Sequence, residues 1–369
     1  MGKPIIPHLR RYQGFAVRQR SLADSVTLDA LYLGHPTIGG SPTSTFAQSG
    51  YETFLKDLNM KSVARMRDIL HRFFDGDIWY SFKNSKVTVV AACVTIVFMV
   101  SALAAPLIAP HNPFDPASLD LMEAFTPPCW YEEGTAKFLL GTDDQGRDIL
   151  STILYGSRIS LFVGFASMLL AMVLGISLGL MSGYIGGVME TLIMRIADVQ
   201  ISFPAYLIAM LIYGVALSFL PNERHDELVI WVLILAIGVS NWVNFARTVR
   251  GSTLVEKNKE YVQSARVIGR RRFTIMFRHI LPNVMGPVLV IATIGLAVAI
   301  ITEATLSFLG VGVPPTKPSL GTLIRIGQDF LFAGEWWIVI FPGIALAVLI
   351  LAVNLLGDWM RDALNPKLR

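Results

Sequence analysis

The sequence predicts an all-α integral membrane protein with six transmembrane helices, and three observations carry that prediction. Only 16% of the 369 residues are charged while 53% are hydrophobic, for a mean hydropathy of +0.54; soluble domains carry about 25% charged residues. Six stretches lack Asp, Glu, Lys and Arg altogether: 87–109, 159–189, 199–222, 228–246, 279–302 and 336–357. Each is 19 residues or longer, near the ~20 residues needed to cross a ~30 Å hydrocarbon core at ~1.5 Å per residue. Finally, Lys and Arg alternate by loop, 25 on one side of the six spans and 6 on the other.

A soluble core helix keeps one face in water and shows charges every third or fourth position. None of the six runs does. The same composition excludes collagen, disordered tails and disulfide-rich secreted scaffolds. Basic loops stay in the cytoplasm, so both termini are expected there, in a multi-pass protein of the cell inner membrane. The formal charge of +4 and the pI of 9.0 come from those loops, so no nucleic-acid partner is expected.

Residues 1–60 are polar, with a Gly-, Pro-, Ser- and Thr-rich stretch at 33–42, and are expected to be a flexible cytoplasmic extension. Over 61–86 the apolar residues Val63, Met66, Ile69, Leu70, Phe73 and Phe74 recur at helical intervals between Arg65, Arg67, Asp68 and Arg72. This predicts an amphipathic basic helix in the headgroup layer, followed by Trp79, Tyr80 and Phe82 at the membrane boundary. No cleavable signal peptide is expected, because the first apolar run comes too late, and Gly2 lacks the context for myristoylation.

The transmembrane domain is expected over 87–369. Its first external loop, 110–158, is irregular in its Pro-rich half and then carries Gly141-Thr142-Asp143-Asp144-Gln145-Gly146-Arg147-Asp148. Asp143 and Asp144 are too few oxygens for a hard cation. A turn tied by Arg147 to a carboxylate is expected instead, and no metal site. Cys93, in the first span, and Cys129, in this loop, stand at different levels and are not expected to pair. In the second span Gly175, Gly179 and Gly183 fall four apart on one face, where another helix backbone can approach closely. Pro204 is expected to kink the third span.

The segment 247–281 is the most informative. Residues 255–268 read as a short helix with Ser264 and Ala265 near its middle and Gly269 at its C-terminal end. Arg270, Arg271 and Arg272 add positive charge, and a second helix from Phe273 is bent into the membrane at Pro282. A helix lying along the membrane with a small-residue patch suits docking into a groove on another protein.

This segment resembles the cytoplasmic loop of the permease subunits of ATP-binding-cassette importers. The family pattern is Glu-Ala-Ala, three residues, Gly, nine residues, Ile, one residue, Leu-Pro. Gln263, Ser264 and Ala265 stand at the triplet, Gly269 at the glycine, His279 at the isoleucine and Leu281-Pro282 at the end. The ending Arg278-His279-Ile280-Leu281-Pro282-Asn283, the stretches 140–148 and 155–161, Ser307-Phe308-Leu309-Gly310-Val311-Gly312 and the tail 357–366 are similar to the dipeptide, oligopeptide and nickel branch. The resemblance implies the type I importer architecture, with a coupling helix carrying Glu260, Gln263, Ser264, Ala265, Gly269 and Arg270 toward a cytoplasmic ATPase. It also implies an external entrance around Asp143, Arg147 and Asp148 that faces a solute-binding protein. The partners implied are a second homologous permease, two ATPase subunits and that binding protein, in a lipid membrane. Peptides are the solute it implies first, with nickel chelates or oligosaccharides as alternatives.

The chain has no Gly-xxxx-Gly-Lys-Ser/Thr phosphate loop, its sole Gly-Lys pair being Gly2-Lys3, and no nucleophile-elbow or zincin pattern. It is therefore expected not to be an enzyme and to bind no cofactor, with ATP and Mg held by the ATPase subunits. A stand-alone secondary transporter would show inverted repeats and several buried charges, and no clear repeat is present. A membrane enzyme would need paired titratable groups near one face. Glu303, beside the fifth run, either lines the solute path or ties neighbouring elements, for example by pairing with Arg325. A carboxylate at the bilayer centre costs at least ~2.5 kcal/mol, so it is expected to face inward.

Overall fold

The computed structural model describes residues 77–114, 120–219, 221 and 225–363. The extension 1–60 and the amphipathic segment up to residue 76 lie outside the described residues. Eleven helices are named here. α1 (Asp77–Asn84) leads to α2 (Lys86–Leu103), whose first turn is capped by Ser85 accepting from Thr88 N–H at 3.3 Å. α3 (Ala105–Ile108) continues it after a break at Ala104, where Pro106 can donate no helical hydrogen bond. Then follow α4 (Ile149–Ile185), α5 (Gly187–Ile201), α6 (Ala205–Ser218) and α7 (His225–Glu256). α8 (Glu260–Val267) precedes α9 (Arg272–Phe308), α10 (Leu320–Gln328) and α11 (Trp337–Ala363).

Five of these, α2, α4, α7, α9 and α11, are long and apolar enough to cross a membrane. The third expected span is the exception. It is broken at Ser202-Phe203-Pro204 into α5 and α6, bent by 100°. That is far sharper than the kink expected at Pro204. α6 alone, with 14 residues, reaches only about 21 Å.

The packing of α4 on α7 decides what the broken pair does. A Cβ on Gly179 would lie 2.6 Å from Ala246 O and 2.7 Å from Val249 Cβ; one on Gly183 would lie 2.7 Å from Thr253 Cβ; one on Gly175 would collide with Phe245. The contacts advance in step along both helices, so α4 and α7 run parallel. A chain leaving the end of α4 must therefore return to the opposite end before α7 begins, and α5–α6 makes that crossing. The sequence reading of the glycine face is fulfilled by α7, the backbone that approaches it. α9 runs antiparallel to α4, with Gly164 against Ile300 and Ser160 against Glu303. Val163, Ala171 and Leu180 of α4, Leu233, Ile237 and Val249 of α7, and Ile280, Val284 and Val288 of α9 are buried in one core.

Three boundaries differ from expectation. α4 begins at Ile149, ten residues before the charge-free run, because Arg158 interrupts the composition but not the helix. The expected helix over 255–268 is split: α7 ends at Glu256, a three-residue turn follows, and α8 starts at Glu260. The entry into α9 is not a simple bend at Pro282. Residues Ile275–Ile280 form a π turn, with Leu281 N–H reaching Met276 O. Pro282 has no N–H for the carbonyl four residues back and its ring would crowd it, and the wider turn relieves both.

Candidate functional site

At one end of the bundle the loop before α4 folds on itself. Gly141 (φ 84°) and Gly146 (φ 74°) turn the chain in the left-handed region, and Thr142 bridges to Asp148. Between them Asp143 Oδ1 accepts from Gln145 N–H and Arg147 N–H, both at 2.9 Å, and Oδ2 accepts from Arg147 Nε at 2.6 Å. Arg147 Nη1 also reaches Pro315 O at 3.4 Å, and Trp337 Nε1 donates to Thr142 O at 3.0 Å. The loop is thereby fastened to the segment before α10 and to the first residue of α11. Asp148 caps α4, its Oδ2 accepting from Ser151 N–H at 2.8 Å and Ser151 Oγ–H at 2.5 Å.

Asp143, Arg147 and Asp148 are all buried, so they shape this end and present no side chain at its surface. The expected tie between Arg147 and a carboxylate is present: the guanidinium makes one direct bond to Asp143, with Nη2 turned toward Asp144 at 3.9 Å. Burial, and then the neighbouring Asp143 carboxylate, push the Asp144 carboxyl above the ordinary carboxylate range.

Glu303 lies behind this loop. It is fully buried, with Oε2 accepting from Ser160 Oγ–H and Oε1 from Ser307 Oγ–H, both at 2.8 Å. Ser160 Oγ accepts in turn from Leu320 N–H at 3.2 Å. The carboxylate thus joins α4, α9 and the start of α10. Arg325 lies elsewhere, exposed and against Gly310. Gly310 (φ 81°) ends α9 in the left-handed region, and a Cβ on Gly312 would run into Ser307.

At the opposite end α8 packs across the start of α9. Val262 and Ala265 are its buried positions, against the same core as Ile275, Met276 and Ile280. Glu260, Gln263, Ser264, Gly269 and Arg270 are exposed. Ala265 therefore belongs to the inner face and not to the outward patch in which the sequence placed it. Val267 (88% exposed), Ile268 (74%) and Phe273 (70%) form an apolar edge that sequence reasoning missed; their place beside Gly269 and the Arg run was the available signal. Gly269 has φ 79°, with Gly269 N–H on Arg266 O at 2.9 Å and Arg270 N–H on Ala265 O at 3.1 Å. This is the Schellman end expected there.

The turn into α8 is pinned by Glu256, which accepts from Lys259 Nζ and Tyr261 Oη–H, both at 2.6 Å. Asn283 Nδ2 donates to Tyr261 Oη at 3.2 Å and to His279 O at 2.7 Å. Burial, and then the Glu256 carboxylate, push the Tyr261 hydroxyl up to about 12, so it stays a donor. Lys257 Nζ on Gly183 O at 2.9 Å and Arg266 over the Tyr184 ring tie the turn and α8 to α4. The α7–α8–α9 corner is a rigid mount with an exposed edge.

Comparison with known proteins bears on both ends. Residues 175–369 match the family model described as binding-protein-dependent transport system inner membrane component, and residues 66–128 match the N-terminal TM domain of oligopeptide transport permease C. The chain is 40% identical over 293 residues to the dipeptide transport system permease protein DppC of Haemophilus influenzae, covering 79% of this chain and 95% of that protein. It is 35% identical over 296 residues to the oligopeptide transport system permease protein OppC of Bacillus subtilis, covering 79% and 90%. Among solved structures, an inward-facing form of the MetNI methionine ABC transporter aligns at 16% identity with a TM-score of 0.45, covering 59% of this chain and 98% of that one.

Proposed function

The chain belongs to the family of binding-protein-dependent transport system inner membrane components, and from that membership we propose that it is the permease subunit of an ATP-driven peptide importer. The observation that carries the reading is α8, mounted across one end of the bundle with Gln263, Ser264, Val267 and Ile268 turned outward. A rigid corner with an exposed apolar edge suits docking into a groove on a separate subunit. The chain has no phosphate-binding loop of its own, so the drive must come from outside it, from ATPase subunits that hold ATP and Mg. Because α8 is fastened to α4, α7 and α9, a push there is carried to the helices that span the membrane.

The charge distribution supports the orientation. Counting α5–α6 as a crossing divides the Lys and Arg of the sequence 25 to 6 by alternate loops, the loop that holds α8 falling in the richer set and the loop that holds Asp143 in the poorer; counting only five crossings would divide them 16 to 15 and give no preference. The α8 end and both termini are cytoplasmic in this reading. The Asp143 end then faces an external solute-binding protein, and a second, homologous permease completes the path. Dipeptides and oligopeptides are the solutes, as in the relatives' names. Cells lacking this chain should lose uptake of a labelled dipeptide and regain it on complementation. Loss of nickel or oligosaccharide uptake with dipeptide uptake intact would contradict the solute assignment.

A further inference from the structure

One polar stripe in the spans keeps hydrogen-bonding groups unused among the described residues. Asn241, Asn244 and Thr248 recur at three and four residue intervals on α7, about the midpoint of its apolar window. With Ile294 and Gly295 of α9 they line a cleft of about 310 Å³. Asn244 is exposed and makes no hydrogen bond among the described residues; Asn241 gives Nδ2 to Ile237 O at 2.9 Å and leaves its oxygen open. A carboxamide facing hydrocarbon without a partner costs several kcal/mol, so the stripe faces something polar. The cleft's one charged lining residue, Arg247, is drawn to Asp198 of α5 at 2.5 Å. Glu303 is sealed away behind Ser160 and Ser307. What remains is a neutral ladder of amide and hydroxyl groups.

We propose that Asn241, Asn244 and Thr248 form the wall along which a peptide passes, pairing with its backbone amides. The inference rests on the peptide-importer reading and adds a chemistry to it. A carboxamide offers both a donor and an acceptor, the complement of a peptide bond whatever the side chains. A wall without a free charge neither traps nor repels charged residues in transit. Gly295 keeps the opposite side low, with the Phe245 ring edge 3.1 Å from where a Cβ would stand.

The test is uptake of radiolabelled alanyl-alanine by the complete transporter in proteoliposomes, with ATP hydrolysis and subunit composition measured on the same preparation. Asn244→Leu should lower uptake roughly fivefold to tenfold, the worth of about one net hydrogen bond, with binding-protein-stimulated hydrolysis and assembly unchanged. Asn244→Gln, which keeps the amide, should recover most of it. Unchanged uptake by Asn244→Leu overturns the inference. So does loss of the second permease from that variant, which would place Asn244 at a subunit seam. Absence of alanyl-alanine uptake by the unsubstituted transporter would overturn the peptide reading, and the inference with it.

Discussion

Arg147 holds Asp143 from four residues away, Nε to Oδ2 at 2.6 Å, with both side chains almost wholly buried. The pair sits inside the loop, so its work is to keep the loop's shape against the segment before α10. Removing one partner of a buried ion pair costs about 3–5 kcal/mol. Arg147→Ala should therefore lower the thermal stability of the purified protein and depress solute uptake, while ATPase subunits still co-purify. Arg147→Lys should recover only part, because an ammonium cannot serve Asp143 and Pro315 O from one planar group. Normal uptake by Arg147→Ala would detach this loop from transport.

The same loop carries a pH dependence. Asp144 is raised above its ordinary value by burial and by Asp143, so between the unfolded and folded values the folded loop binds more protons than the unfolded one. Stability then falls as pH rises through that window and is highest below it. Hydrogen-exchange protection of amides 141–149 should increase on acidification, and Asp144→Asn should flatten the response. An unaltered pH profile in Asp144→Asn would assign the dependence to another group.

Gly269 separates backbone from contact. Nothing lies within 4 Å of the position its Cβ would take, so a substitution there is felt only through its left-handed φ, at roughly 1–2 kcal/mol. Gly269→Val should loosen α8 and cut ATPase co-purification and uptake together, with membrane insertion normal; Gly269→Asn should be milder. Ala265→Arg should act through packing instead, forcing a charge between α8 and α9 and lowering stability. Ile268→Asp is the cleaner probe of the exposed edge, and full ATPase binding by it would remove that edge from the interface.

Glu303 offers a contrast between scaffold and solute contact. Glu303→Ala leaves Ser160 and Ser307 without their acceptor in the bundle interior, and should lower the melting temperature by several degrees. Glu303→Gln, which still accepts one of the two bonds, should lose less. A change in solute preference without a change in melting temperature would return Glu303 to the solute path.

Much of this was legible in the sequence because the membrane simplifies the problem. Charge-free runs mark spans, and Gly175, Gly179 and Gly183 announced a close helix pair before the partner was known. Gly269 declared its left-handed cap. What could not be read depends on which side of a helix is buried. On α8, a short helix outside the spans, Ala265 is buried and Val267 exposed because of how the helix lies on α9, a tertiary contact that hydropathy does not encode. The sharp bend at Ser202-Phe203-Pro204 and the π turn before Pro282 are tertiary responses to single prolines, and proline marks the place without the angle. The buried state of Asp143 and Arg147 depends on Pro315 and Trp337, well over a hundred residues away in sequence.

The central claim is that this chain conducts a peptide under power supplied by other subunits. The direct measurement is dipeptide accumulation in proteoliposomes holding the purified complex, with ATP and binding protein each added or withheld, and each condition run both without and with an imposed proton or sodium gradient. The account predicts accumulation only when both are present, with hydrolysis rising in step. Accumulation without ATP, driven by a proton or sodium gradient, would contradict it and make the chain a transporter that works alone.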